Sequence, residues 1–182
     1  MIYLKDTGFV VRRVNLGEAD RFVTIFTRNN GKIEVLAKGV RKITSRRASQ
    51  MELLNLINFN SVKTSKNFIL TEVDLLNSFE KSRRTLEECQ TFFLICELID
   101  NLCPFGQVNE ELFELVGEYL DAGKFTDDNL LSFETKILMT LGYWNIEKKF
   151  KNEKEITNYI ESIIEKKIKS KVIGNFNMVI KA

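Results

Sequence analysis

The sequence predicts an α+β chain in which a small five-stranded β-barrel precedes an α-helical bundle. Three observations carry that expectation. Through residue 79, apolar residues alternate with a period of two between turns rich in Gly and Asn. Beyond residue 80 the apolar period lengthens to that of a helix. The charge changes sign at the same place: residues 1–79 carry a net +6, residues 80–146 a net −8 and residues 147–182 a net +4. Two modules are therefore expected, residues 1–79 and residues 80–182.

The first strand is read over residues 7–16, β-branched and apolar, and is broken by Gly17-Glu18-Ala19-Asp20. The second covers residues 21–27, with Phe22, Thr24 and Phe26 on one face and Val23 and Ile25 on the other. Asn29-Asn30-Gly31 is a hairpin turn, because Asn and Gly tolerate positive φ. Residues 32–38 alternate, Ile33, Val35 and Ala37 facing one way and Lys32, Glu34 and Lys38 the other. A polar loop runs over residues 39–50, and residues 53–59 and 68–75 complete the barrel around a Ser- and Lys-rich turn.

In the second module, Leu86, Cys89, Phe92, Phe93, Ile95, Cys96, Ile99 and Leu102 form one broad helical stripe, ended by Pro104 and Gly106. Asn109 is positioned to cap a second helix bearing Leu112, Phe113, Leu115, Val116 and Leu120. Thr126 or Asp127 opens a third, with Gly142 as its stop. Ile156, Tyr159, Ile160, Ile163, Ile164 and Ile168 mark a fourth, separated from the third by the charged residues 147–155.

Composition excludes whole classes of chemistry. The 182 residues, 44% hydrophobic and 29% charged, describe a globular chain, and no apolar run is long enough to span a membrane. The N-terminus lacks the basic start and apolar run of a signal peptide, so a cytoplasmic address is expected. There is no histidine, which removes Ser-His-Asp and Cys-His nucleophiles, His-ligated zinc and a His general base. The three cysteines, Cys89, Cys96 and Cys103, recur every seven residues. On a helix that spacing separates successive sulfurs by roughly 10 Å, too far to share one ion. They read as buried free thiols of a reducing compartment, and neither metal nor cofactor is expected.

The strongest local signal is the run Lys38-Gly39-Val40-Arg41-Lys42-Ile43-Thr44-Ser45-Arg46-Arg47, five cations in ten residues with no acid between Glu34 and Glu52. Beside a barrel sheet it is either an electrostatic footprint for a polyanion or a solvated loop guarding an edge. Arg12, Arg13, Arg21, Arg28, Lys32, Lys63 and Lys66 favour the polyanion, because they fall on strands and loops that an OB-fold uses for oligonucleotides. The candidate nucleic-acid contacts are Arg12, Arg21, Arg28, Lys32, Lys38, Arg41, Lys42, Arg46 and Arg47. The loop holds no aromatic residue, which points to phosphate contacts and steep salt dependence rather than base stacking. Glu18 and Asp20 read either as a turn paired with Arg21 or as a Mg²⁺ or acid/base pair. Lys166, Lys167, Lys169 and Lys171 read equally as a solvated face and as an extension of the anion-binding surface.

In order along the chain stand Gly8, Val11, Gly17-Glu18-Ala19-Asp20-Arg21, Thr27, Gly31-Lys32, Ala37-Lys38-Gly39-Val40-Arg41 and Ser45-Arg46. They are followed by Leu70-Thr71-Glu72, by Pro104 with Asn109-Glu110-Glu111-Leu112-Phe113, by Phe133-Glu134, Leu141-Gly142-Tyr143 and Lys167-Ile168-Lys169-Ser170-Lys171. This series resembles the RecO family, bacterial DNA-repair proteins that act as recombination mediators. The resemblance implies a non-enzymatic protein with an OB-fold followed by a helical domain. It implies binding of single- and double-stranded DNA, annealing of complementary strands, and work with RecR and single-strand-binding protein to load the RecA recombinase. It also implies a bacterial cytoplasmic, nucleoid-associated address with no membrane partner. One departure stands out. Many members carry a four-cysteine zinc module soon after the Gly-Tyr that closes the third helix. Here Gly142-Tyr143 leads into Trp144-Asn145-Ile146-Glu147-Lys148-Lys149 with no Cys or His, so zinc is not expected. The alternative function is a protein-interaction adaptor of a repair complex with little DNA binding of its own.

Overall fold

The computed structural model describes residues 2–145 and 149–171. Five strands, β1 (Ile2–Leu16), β2 (Asp20–Thr27), β3 (Gly31–Ala37), β4 (Leu56–Lys63) and β5 (Phe68–Asn77), close into a barrel in the order β1-β2-β3-β5-β4. Every pairing is antiparallel except the short parallel contact of β3 with β5, where Val35 and Leu36 meet Phe68 and Ile69. This is the OB-fold arrangement. Closure depends on the length of β1. Its C-terminal half pairs with β2 and its N-terminal half with β4, from Ile2 opposite Lys63 to Phe9 opposite Leu56. That second pairing extends β1 five residues ahead of the alternation seen in the sequence.

The fourth strand lies later than the sequence pattern places it. Leu54 sits at φ 56°, a backbone state no strand residue adopts, and residues 54–55 instead hook onto β1. The Leu54 amide donates to the Val10 carbonyl at 2.7 Å, and the Val10 amide donates to the Asn55 carbonyl at 3.1 Å. The strand therefore starts at Leu56 and absorbs Ser61, Val62 and Lys63, which read as turn. Inside the barrel, Val10, Val23, Ile25, Val35, Ala37, Val40, Met51, Ile57, Phe59, Leu70 and Val73 form one buried cluster.

The hairpin between β2 and β3 is held by a buried carboxylate. Asp6 accepts from the Asn29 amide side chain at 2.8 Å, the Asn30 amide side chain at 2.6 Å, and the backbone amides of Thr7 and Asn29. Gly31, at φ 65°, closes the turn where a Cβ would lie 2.3 Å from the Gln107 carbonyl oxygen. Glycine is needed there on both counts. The chain forms two compact units: Met1–Phe79 with Cys103–Glu110, and Glu80–Leu102 with Glu111–Ala182. Within the first, the Gly106 amide donates to the Lys32 carbonyl at 2.9 Å, and Phe105 bridges to Lys32 in parallel.

The second unit contains α1 (Leu86–Leu102), most of α2 (Glu110–Ala122), α3 (Asp127–Thr140) and α4 (Glu153–Ile164). Their ends follow from local chemistry. Thr85 and Glu88 form a reciprocal capping box, the Thr85 hydroxyl accepting from the Glu88 amide and the Glu88 carboxylate from the Thr85 amide. Of the two residues the sequence offers as the start, Thr126 and Asp127, it is Thr126 that caps α3, accepting from the Asn129 amide. Gly142 ends α3 at φ 77°, its amide bonded to the Met139 carbonyl and that of Tyr143 to the Leu138 carbonyl, a Schellman closure. Asn152 caps α4 through the Glu155 amide.

α4 stops at Ile164 because Glu165 turns left-handed, so the buried Ile168 lies beyond the helix rather than on it. The segment that follows is tied down by acids. Glu97 accepts from the Lys169 and Ser170 amides and from the Ser170 hydroxyl. Lys171 pairs with Glu134 at 2.7 Å and with Glu153 at 3.4 Å, and Lys167 pairs with Glu161. Lys167 and Lys171 are thus spent inside this unit. Between α3 and α4, Trp144 stacks on Phe150 at 4.1 Å and meets Tyr159 edge-on.

Candidate nucleic-acid interface

The basic loop leaves β3 at Ala37 and rests against the turn between β1 and β2. Gly17, at φ 56°, lets that turn reverse tightly. Its carbonyls and Asp20 then serve as the loop's anchor. Asp20 Oδ1 accepts from the Gly39 amide at 2.7 Å, the Ala19 carbonyl from the Arg41 amide at 2.9 Å, and the Gly17 carbonyl from Arg41 Nη1 at 2.8 Å. Farther along, the Lys42 amide donates to the Gly39 carbonyl and the Ser45 amide to the Lys42 carbonyl. Arg47 Nη2 closes the stem on the Lys38 carbonyl at 2.8 Å. Val40 sinks into the barrel core. The loop is built rather than merely solvated, and two of its arginines brace it.

This scaffold gathers Lys38, Lys42, Arg46 and Arg47, with Asp20, Gly39, Thr44 and Ser45, around an open concavity of about 590 Å³. Lys38, Arg41, Lys42 and Arg46 are exposed and Arg47 is half-buried. Asp20, the one acid among the lining residues, already holds the Gly39 amide. Cations outnumber acids four to one around the concavity, so its field favours an anion. Glu18 is exposed on the turn, and no group of three or more Cys, Asp or Glu side chains able to hold a metal converges among the described residues.

The other sequence candidates lie apart from the loop. Arg21, half-buried at the start of β2, donates through Nε to Asn15 Oδ1 at 3.1 Å. Burial, and then its neighbour Arg13, hold its pKa below the usual arginine range. Arg13 itself is paired with Glu52. Arg12 is exposed on β1 opposite Thr24, midway along β2. Arg28 is half-buried where β2 ends, about 25 Å of extended strand from the root of the loop.

Lys32 corrects the sequence reading. The alternation places it opposite Ile33, on the outward face, yet it is only 3% exposed. Its Nζ lies 4.6 Å from the centre of the Phe105 ring, beneath the segment 103–110. A side chain so covered offers no charge to a phosphate, and Lys32 drops out of the contact set. The same enclosure raises the Cys103 thiol to about 11 by burial, with Lys32 opposing the shift.

Two features of this surface escaped the sequence reading. One is the clasp by Asp20, a contact between residues nineteen apart with no local pattern to reveal it. The other is an apolar row across the outward sheet face, Val14 opposite Phe22 and Phe22 opposite Leu36, ending two residues from the root of the loop.

Comparison with known proteins bears on the same elements. Residues 1–79 match the family model described as Recombination protein O N terminal, and residues 83–158 the one described as Recombination protein O C terminal. The chain belongs to the RecO family. Proteins named DNA repair protein RecO from Acetivibrio thermocellus and Clostridium acetobutylicum are each 33% identical over 147 residues, 79% of this chain. They are covered over 59% and 60% of their own lengths respectively. The Roseiflexus protein of the same name is 35% identical over 142 residues, 76% of this chain and 50% of its own. The chain thus spans little more than half the length of these RecO relatives.

A four-cysteine zinc site does not fit the residues of this RecO-family chain. Cys96 and Cys103 are buried and Cys89 is half-buried, Cys89 and Cys96 on α1 and Cys103 in the barrel unit. Beyond Gly142, the described residues pack Trp144, Phe150 and Tyr159 together.

Proposed function

We propose that this chain is a DNA-binding recombination mediator that holds single and double strands by their phosphates and anneals complementary strands. One observation carries the reading: five cations lie on a loop that hydrogen bonds hold in place, and four of them line a concavity whose single acid is already engaged. The contact set is Lys38, Arg41, Lys42, Arg46 and Arg47, with Arg12, Arg21 and Arg28 as further contacts apart from the loop. Phosphate neutralisation lowers the repulsion between two strands, and base pairing supplies the sequence specificity. Residues 1–79 are the nucleic-acid module. Residues 80–182 serve the partners that the family implies, RecR and single-strand-binding protein, on the way to loading RecA. The relatives' name, DNA repair protein RecO, supports this assignment.

The test is annealing of two complementary strands labelled with a donor and an acceptor fluorophore. Acceleration over the protein-free rate, weakening as salt rises, is the expected result. Binding without acceleration would leave a DNA-binding protein that does not anneal. Neither binding nor acceleration would leave the adaptor reading.

A further inference from the structure

The loop carries a residue that phosphate binding does not explain. Ile43 is 105% exposed, as open as in an extended peptide; among the described residues the next most exposed large apolar one is Tyr3 at 73%. Its own loop shows that burial was available, since Val40, three residues earlier, is 1% exposed in the barrel core. Nor is Ile43 on a slack segment. The Lys42-to-Gly39 turn precedes it and the Ser45-to-Lys42 turn spans it, while Arg41 and Arg47 anchor the two stems. Its exposed neighbours are Arg41, Lys42, Thr44 and Arg46.

We propose that Ile43 is an apolar wedge that inserts between adjacent bases of the DNA strand whose phosphates the loop holds. This inference rests on the DNA-binding reading above and adds a contact to the bases. Cations that seat a phosphate bring the bases of the same strand within reach of the loop tip. An aliphatic side chain held rigidly among such cations is the device by which DNA-bending proteins unstack a base step. It does not need the aromatic residue that the loop lacks, and it takes any base, so sequence preference stays low. A base is the occupant that the charge pattern selects, because the cations around Ile43 draw a polyanion to that spot.

The experiment uses an adenine-rich single strand carrying 2-aminopurine, whose fluorescence rises when it is unstacked. The full chain is compared with Ile43→Ser and Ile43→Phe, and anisotropy of a labelled strand is followed alongside. The wild type is expected to raise 2-aminopurine fluorescence at saturation. Ile43→Ser should lose most of that rise and about tenfold in affinity, the scale of one lost stacking contact, with an unchanged salt slope. Ile43→Phe should keep the rise. An equal rise in Ile43→Ser and wild type at saturation overturns the wedge, and so does wild-type binding without any rise. In both cases the anisotropy still shows phosphate binding. If the wild type gives no anisotropy change at low salt, the DNA-binding reading fails, and the wedge with it. Ile43 makes no core contact, so both variants should fold, which circular dichroism checks.

Discussion

Replacing Lys42 and Arg46 together by Gln isolates the electrostatic part of the proposed interface. Both side chains line the concavity and are exposed. The side chains that brace the loop are those of Asp20, Arg41 and Arg47, so the loop should keep its shape. Arg47 is a poorer choice, because its loss also releases the Lys38 carbonyl. If five loop cations each neutralise one phosphate, a single strand should bind with a log–log salt slope of about −3.5. Raising salt from about 50 to about 200 mM should then cost about 130-fold in affinity. With two cations gone the slope falls to about −2.1 and the same change costs only about 20-fold. Fluorescence anisotropy of a labelled strand at four or five salt concentrations reads both slopes. A double variant with the wild-type slope would refute the assignment of these side chains to phosphate, even if its affinity fell.

Three further substitutions test the framework. Gly31→Ala combines an unfavourable positive φ with a Cβ driven into the Gln107 backbone, and should cost about 2–4 kcal/mol by urea unfolding. A loss under 1 kcal/mol would mean that the segment 103–110 yields easily. Asp6→Ala strips the acceptor from the amides of Thr7, Asn29 and Asn30 and should cost about 2–4 kcal/mol. A change within experimental error would show that water replaces the carboxylate. Lys171→Met removes the cation opposing the burial that pushes the Glu134 carboxyl upward. A raised native pKa means that the folded state takes up the proton more readily than the unfolded one, so the penalty grows as pH rises through the carboxylate range and is relieved on acidification. The variant should lose about 3 kcal/mol at pH 8 and less at pH 5, and an equal loss at both pH values would contradict the assignment.

The parts of the molecule legible in the sequence are those whose causes are local. β2 and β3 stand out because Ile33, Val35 and Ala37 alternate after an Asn-Asn-Gly turn, and α3 because Thr126 and Gly142 bracket it. The basic loop is visible as a run of charge. What remained hidden depends on residues distant in the chain. β4 reads three residues early because nothing local marks Leu54 as left-handed; that state belongs to its pairing with Val10. Lys32 sits at an outward strand position, as its alternation implies, and lies under the ring of Phe105, seventy-three residues later. Asp20 reads either as part of a turn paired with Arg21 or as half of a carboxylate pair with Glu18, and neither reading shows the Gly39 amide on its oxygen. Ile43 looks like any apolar loop residue until its complete exposure, beside a buried Val40, sets it apart.

The most direct test of the central claim is the anisotropy of a labelled single strand titrated with the wild-type chain at several salt concentrations. Binding at low salt with a slope near −3.5, about five phosphates engaged, is the expected result. No binding at low salt, or binding that salt barely changes, would contradict it.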